Sequence, residues 1–240
     1  MAQRNQQLKE ANDAKLQIFS IISHDLKGPL ATLRGILNSV EEGFSTPEKA
    51  QRQLAHLKTM MAPLNNTLNN LLLWSRQQLE GFNTAPEELC LDEIIREEIS
   101  LAGEEAQICN IIIQNNIPAQ TKVIADINQL RVVFRNLISN AIHHAEPNSV
   151  VALSATLAKH EITFRVSNTG TLIPADVANE FNQTGRLTAA AFTKKQSGLG
   201  LQLCRTFVIG NGGKLWIAIE EKQKTVFCFT VRSPQTTVTA

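Results

Sequence analysis

Residues 131–145 read RVVFRNLISNAIHHA, an apolar segment that carries two asparagines four residues apart. At this spacing Asn136 and Asn140 share one face of a helix, because residues i and i+4 are neighbours on its surface. Amides buried among apolar side chains are costly unless they find partners. Helix capping or an inter-helix hydrogen bond would suit one asparagine better than two in register. Since Mg²⁺ takes oxygen ligands and is usually shared with phosphates, the pair indicates a magnesium and phosphate site.

Short β-rich runs surround this segment and alternate with helical patterns at about 92–106, 127–144 and 199–210. The strand-like runs are NIIIQNNI, TKVIAD, VVALSATLA, EITFRVSN, KLWIAIEE and TVFCFTV. Strands followed by helices that pack on one face predict an α/β sandwich over residues 88–235. A polar stretch with Gly81 and Pro86 predicts a hinge at 81–87, and residues 236–240 read as a disordered tail.

Residues 1–80 have a different periodicity, with two heptad seams. Apolar residues recur at alternating spacings of three and four from Ile22 to Val40 and again from Leu54 to Leu71. Between the seams, Gly43 ends the first helix and Pro47 suits the first position of the second. A two-helix hairpin has too little core to stand alone, so we expect it to dimerise into a four-helix bundle.

The composition excludes several classes of protein. A chain of 240 residues with net charge +1 and 43% hydrophobic residues has an ordinary core and no basic surface for nucleic acid. No apolar run approaches the roughly 18–20 residues that span a bilayer, and the polar start is unlike a signal peptide. We therefore expect a cytoplasmic chain, which could be the cytoplasmic part of a longer membrane protein. The cysteines form no Cys-x-x-Cys pair and predict buried, reduced thiols: Cys90, Cys109, Cys204 and Cys228.

The segment SHDLKGPL, residues 23–30, places a histidine opposite the first seam. With about 100° per helical residue, His24 lies about 200° from Ile22 and faces solvent. Neutral imidazole is nucleophilic, and its usual pKa of about 6.5 leaves much of it neutral. Asp25 can hold one ring N–H and leave the other nitrogen free to attack. The alternative is that Asp25 only solvates the helix surface, and geometry alone does not choose between the two.

SHDLKGPL resembles the phospho-acceptor motif of the sensor histidine kinases of two-component systems, Ser-His-Glu/Asp-Leu-Lys/Arg-x-Pro-Leu. The resemblance implies that His24 is the phosphorylated residue and that Asp25 is its acidic partner. It also implies a response-regulator receiver domain as the partner that takes the phosphoryl group onto an aspartate.

The segment 131–145 is similar to the N box of the same kinases and of the wider GHKL ATPase superfamily. The similarity implies that Asn136 and Asn140 contact Mg²⁺ and the phosphates of ATP. The family usually has lysine and then Tyr, Phe or His at the next two site positions, which here are His143 and His144. Because His143 replaces a fixed positive charge with a titrating one, we expect weaker and pH-dependent phosphate binding.

VSNTGTLIP, residues 166–174, resembles the G1 box Asp-x-Gly-x-Gly-Ile, with Gly170 and Ile173 retained. The family's aspartate accepts a hydrogen bond from the adenine amino group, and Asn168 stands in its place. The Asn168 carbonyl can still accept that bond, without the charge assistance of a carboxylate. Leu172 replaces the second glycine. Alone, Asn-Thr-Gly is more often a turn.

SGLGL, residues 197–201, resembles the G2 box Gly-x-Gly-Leu-Gly-Leu, with Gln196 in place of its first glycine. Glycines just before a helix let backbone N–H groups approach phosphate, although a flexible turn is the alternative. Residues 176–196 predict a mobile lid over the nucleotide. In this segment Lys194 is a candidate phosphate contact, with a simply solvated lysine as the alternative. The other candidate nucleotide contacts are Ser197, Gly198, Leu199, Gly200 and Leu201.

The order and spacing of these motifs extend from about residue 24 to 201. Together they imply the catalytic core of a sensor histidine kinase: a homodimeric helical-hairpin domain at 1–80, then a GHKL (Bergerat-type) α/β sandwich at 88–235. The γ-phosphoryl group of Mg·ATP would pass to His24. One alternative is a degenerate kinase, a dimeric phosphorelay or interaction module that binds ATP weakly. Another is a GHKL ATPase that releases free phosphate and makes no use of His24.

Overall fold

The computed structural model describes residues 84–158, 160–185, 198–220 and 224–234. In the first eighty residues it describes ten scattered positions, all helical: 31, 34, 35, 37, 38, 68–70, 72 and 73. The chain divides into two compact units, Met1–Leu79 with Phe192–Gly200 and Glu80–Ala191 with Leu201–Ala240. The predictions for the hairpin seams, His24, Asp25, Lys194, Ser197 and the tail at 236–240 lie outside the described residues.

Four long helices and seven strands make up the described part of the chain beyond residue 83. In chain order they are β1 Glu87–Cys90, α1 Leu91–Ile108, β2 Ile112–Asn116, β3 Lys122–Ala125, α2 Ile127–His144, β4 Val150–Leu157, β5 Glu161–Thr169, α3 Ala175–Thr184, α4 Gly198–Gly210, β6 Leu215–Glu220 and β7 Lys224–Arg232. Among the described residues, none of the helices combines the length and the apolar character needed to cross a membrane.

The strands form one mixed sheet in the order β1-β3-β7-β5-β4-β2, and β6 also pairs with β7. The β2–β4 pair is parallel and the other pairs are antiparallel. The longest ladder joins β5 and β7, where Phe164 is opposite Phe229 and Asn168 is opposite Thr225. This sheet with its helices confirms the predicted α/β fold.

The core lies between the sheet and α2. The ring of Phe134 on α2 packs in T-shaped pairs with Phe164 and Phe229, with ring centroids 5.5 and 5.3 Å apart. All three rings are fully buried, and removing one such ring typically costs about 3–5 kcal/mol. Successive strand residues point to opposite faces of a sheet. Asn168 and Thr225 therefore lie on the same face as Phe164 and Phe229, the face that α2 covers.

The start of α2 is fixed by Asp126, whose side chain accepts from the backbone N–H groups of Asn128 and Gln129 at 3.0 Å each. An N-cap of this kind satisfies donors that have no partner inside the helix. The other carboxylate oxygen of Asp126 accepts from the backbone N–H of Ala85 at 3.1 Å. The end of the predicted hinge at 81–87 is thus bonded to α2, and its last residue, Glu87, already belongs to β1.

The segment predicted as a lid begins with a helix instead. Residues Ala175–Thr184 form α3, which ends at Gly185 with φ at +69°. The side chain of Asn182 donates to the Ile217 carbonyl and accepts from the Ile217 N–H, both at 2.8 Å. These two bonds occupy a backbone edge of β6, so α3 is held by the sheet.

All four cysteines are free. Cys204 and Cys228 are buried as predicted, but Cys90 is exposed and Cys109 is half-buried, so for these two the prediction of burial was wrong. The reason for Cys90 is its position at the end of the short strand β1, where it precedes α1 and points outward.

Candidate functional site

Asn168 and Thr225 form a buried polar pair at the end of the β5–β7 ladder. Asn168 is 1% exposed and Thr225 is 2% exposed. Both amide atoms of Asn168 and the hydroxyl of Thr225 lack a hydrogen-bond partner among the described residues. A buried polar group without a hydrogen bond lowers the stability of the fold by about 1–3 kcal/mol. Three such atoms on two neighbouring residues therefore indicate a ligand-binding site.

Sequence reasoning selected Asn168 from its motif and missed Thr225. The run TVFCFTV was read as a strand alone, and the register that brings Thr225 opposite Asn168 is a tertiary feature. A signal was nevertheless present, because Thr225 is a polar residue at the start of a strand whose next six residues are all buried.

Gly170 allows the end of β5 to pass close to the end of α2. Its φ is +155°, and an added Cβ would lie 2.1 Å from the His144 carbonyl oxygen and 2.9 Å from the Glu146 nitrogen. Two backbone bonds hold the segments together: Thr171 N–H donates to His144 at 3.0 Å, and Glu146 N–H donates to Thr169 at 2.9 Å. A residue with a Cβ could not occupy this position unless the backbone moved. Gly170 therefore allows the G1-like segment at the end of β5 to lie against the N-box-like segment at the end of α2.

Asn136 and Asn140 on α2 are half-buried, which corrects the prediction that both are buried. The Asn136 side-chain nitrogen donates to the Val132 carbonyl at 2.9 Å. That bond establishes which end of the Asn136 amide is nitrogen, and its oxygen is the atom with the ligand chemistry that Mg²⁺ prefers. Asn140 lies one turn later on the same face.

His143 is held from α1 by a residue that sequence reasoning missed, Glu105. The Nδ1 atom of His143 lies 3.0 Å from Glu105 Oε1 and 2.9 Å from the Ser139 carbonyl oxygen. Both atoms are acceptors, which favours a proton on Nδ1, and Nε2 can donate to a phosphate when the ring is doubly protonated. Burial raises the pKa of the Glu105 carboxyl, and the facing His143 and the Ser139 hydroxyl partly offset this rise. Residues on two different helices create the contact, so spacing within one motif could not reveal it.

The other predicted contacts have mixed surroundings. Ile173 is buried and Leu172 is 37% exposed. His144 is half-buried, and its carbonyl accepts the bond from Thr171. Gly198, Leu199, Gly200 and Leu201 form the first turn of α4 instead of preceding it. The backbone N–H groups of a first helical turn have no partner within the helix, so the segment retains the chemistry of an anion site.

Two family models match this chain. The model described as "His Kinase A (phospho-acceptor) domain" matches residues 14–80. The model described as "Histidine kinase-, DNA gyrase B-, and HSP90-like ATPase" matches residues 125–235. The second range contains Asn136, Asn168 and Thr225, which places the buried polar pair inside a segment similar to ATP-binding domains.

Curated and solved proteins similar to this chain include a sensor protein and histidine kinases. Sensor protein SrrB of Staphylococcus aureus is 24% identical over 224 residues, which is 92% of this chain. The chain spans 38% of the length of SrrB.

Among solved structures, histidine kinase AdeS of Acinetobacter baumannii has a TM-score of 0.64 at 16% identity, over 88% of this chain and 98% of AdeS. Histidine kinase ThkA in complex with response regulator protein TrrA has a TM-score of 0.69 at 21% identity, over 98% of this chain and 65% of that one. The separate catalytic domain of ThkA has a TM-score of 0.54 at 28% identity, over 62% of this chain and 98% of that domain. At such identities the AdeS and ThkA–TrrA likenesses establish a shared fold.

Proposed function

This chain belongs to the sensor histidine kinases of two-component signalling, and we propose that it transfers the γ-phosphoryl group of ATP to a nitrogen of His24. The observation that carries the proposal is the buried pair Asn168 and Thr225, with three unmet polar atoms inside the ATPase-like segment. The adenine edge offers a 6-amino donor and a ring-nitrogen acceptor. ATP therefore supplies the partners that these side chains lack.

The residues of α2 fit the charged end of the same ligand. The side-chain oxygens of Asn136 and Asn140 would hold Mg²⁺, and His143, oriented by Glu105, would contact a phosphate. When bound, Mg²⁺ neutralises charge on the phosphates of the nucleotide.

His24 and Asp25 would carry out the transfer. A neutral His24 ring nitrogen attacks the γ-phosphorus, a nitrogen–phosphorus bond forms, and the bond to the bridging oxygen of ADP breaks. The remaining ring N–H proton then passes to Asp25, which has oriented the ring until that point. The rest of the protein contributes positioning and charge neutralisation.

The partners follow from the same proposal. Residues 1–80 would form the homodimer, supported by the phospho-acceptor family model at 14–80. An aspartate of a response-regulator receiver domain would accept the phosphoryl group, supported by the solved complex of ThkA with TrrA. The chain would be the cytoplasmic portion of a bacterial inner-membrane sensor, supported by its match to part of the longer sensor protein SrrB.

Thermal unfolding with nucleotide tests ATP binding and the weak-binding alternative. We expect Mg·ATP to stabilise the native chain, by about 2.7 kcal/mol when ATP is at 100 times its dissociation constant. In the native chain, chelation of Mg²⁺ should abolish part of this stabilisation. The Asn140→Ala variant should lack that same part. Asn128→Ala is the matched control, because Asn128 is exposed on the first turn of the same helix. Absence of any shift in the native chain at millimolar Mg·ATP would favour the degenerate kinase.

A further inference from the structure

The carboxamide of Asn168 offers a hydrogen-bond donor and an acceptor side by side. Both atoms are buried, and neither has a partner among the described residues. The orientation of an amide is normally assigned from its hydrogen bonds. Since none of the described residues bonds to either atom of Asn168, the amide can turn by 180° without breaking a bond to them.

Purines present two opposite patterns to such an amide. Adenine has a 6-amino donor beside N1, an acceptor. Guanine and hypoxanthine have a 6-oxo acceptor beside N1–H, a donor. An asparagine pairs with the first edge in one orientation and with the second edge in the other. An ionised aspartate, which the related kinases usually have here, is acceptor-only and faces the 6-oxo oxygen with repulsion.

The second polar group of the pair can also serve as either donor or acceptor. The Thr225 hydroxyl, directly opposite Asn168 on β7, also lacks a partner and can either donate or accept. Neither buried group that faces the base therefore selects an amino group over an oxo group.

We propose that this kinase binds 6-oxopurine nucleoside triphosphates as well as ATP, because Asn168 reads either base edge by turning its amide. The inference rests on the proposed function, since it assumes that the base of the nucleotide lies against Asn168. It concerns which bases enter the site, whereas the proposed function concerns the reaction.

The test measures dissociation constants of Mg·ATP, Mg·ITP and Mg·GTP for the full chain and for Asn168→Asp by titration calorimetry. ITP is the deciding ligand. Its base, hypoxanthine, has the 6-oxo group of guanine but lacks the 2-amino group, which could exclude GTP by its size alone. For the native chain we expect ATP and ITP affinities within about tenfold of each other. Asn168→Asp should raise the preference for ATP over ITP by about tenfold or more, since one good bidentate pair discriminates bases to that extent.

Two results would overturn the inference, and only one of them would also contradict the proposed function. If the native chain binds ATP and rejects ITP as strongly as Asn168→Asp does, the base-reading role is wrong and the kinase function is untouched. If the native chain binds neither nucleotide, the proposed function fails with it. Should Asn168→Asp not fold, displacement of a bound fluorescent ATP analogue from the native chain by ITP decides the question alone.

Discussion

Asn168 carries a cost for the stability of the fold, and in the proposed function it would bind the nucleotide. Its amide is buried beside Thr225 on the face of the sheet that α2 covers and has no partner among the described residues, so the folded chain bears the loss of its hydration. A core chosen for stability alone would have an apolar residue here. In the proposed function, the retained amide would bind the base of the nucleotide.

Replacing Asn168 by leucine should therefore separate stability from binding. We expect Asn168→Leu to raise the free energy of unfolding without nucleotide by about 1 kcal/mol, because an unmet buried amide is replaced by an apolar group of similar size. The same change should abolish stabilisation by Mg·ATP. Urea unfolding with and without nucleotide measures both effects, and Phe134→Leu, a core change away from the polar pair, is the control that should retain the nucleotide effect. A loss of apo stability in Asn168→Leu would show that the amide has a partner after all.

The cysteines differ in environment and should differ in reactivity. Burial raises the pKa of the thiols of Cys204 and Cys228, which disfavours the reactive thiolate. Cys90 is exposed, and at Cys109 both burial and the nearby Glu105 raise the pKa. A chromogenic disulfide reagent should react fastest with Cys90, and Cys204 and Cys228 should react only on unfolding. Cys90→Ser should remove the fast phase, and a fast phase that survives in this variant would contradict the assignment.

At the scale of elements, α1 and α2 are joined by a buried carboxylate. The Glu98 side chain has no exposed surface, and Arg135 donates to it from Nε at 2.9 Å and from Nη2 at 3.1 Å. Arg131 lies 3.5 Å away. The arginines keep 43% and 27% of their side-chain surface exposed. Only the carboxylate therefore depends on its partners for solvation.

This asymmetry predicts which half of the ion pair matters more. Arg135→Met should lower the free energy of unfolding by about 3 kcal/mol, because it leaves a buried carboxylate with one distant partner. Glu98→Met should cost less, since methionine suits a buried position and both arginines can turn to water. Urea unfolding of the two variants gives the order directly. The opposite order would mean that the arginines, and not the carboxylate, are the poorly solvated partners.

The sequence allowed some elements to be predicted to the residue and others not at all. The helical pattern at 127–144 coincides with α2, because its apolar periodicity is continuous and Asp126 provides a cap. The strand β1 has four residues and one buried side chain, which is too little to form a pattern. In α3 only Ala178 and Phe181 are buried, and bonds from Asn182 to β6 hold the helix in place. Such contacts depend on tertiary structure.

The candidate site also contains residues that could be predicted from the sequence and residues that could not. Asn136, Asn140, Asn168 and Gly170 could be predicted because each belongs to a short motif with its own spacing. Thr225 and Glu105 could not, since a strand register brings one beside Asn168 and helix packing brings the other beside His143. The motifs identify some of the candidate residues, and tertiary contacts bring their neighbours beside them.

In the molecule as a whole, a network of polar side chains joins three parts of the fold: Thr84 and Ala85, the start of α2, and Asn211, which follows α4. Asn211 donates to Gln129 at 2.8 Å and accepts from the Asp126 N–H at 2.7 Å. Gln129 in turn donates to Thr84, and Asp126 accepts from Ala85. These bonds tie Thr84 and Ala85 to the start of α2.

The central claim is that the phosphoryl group of ATP reaches His24, and labelling tests it most directly. The full chain is incubated with Mg²⁺ and γ-labelled ATP, beside the variants His24→Gln and His56→Gln. We predict label that is labile in acid and stable in alkali on the native chain and on His56→Gln, the matched histidine control, and no label on His24→Gln. Label that persists on His24→Gln would contradict the account.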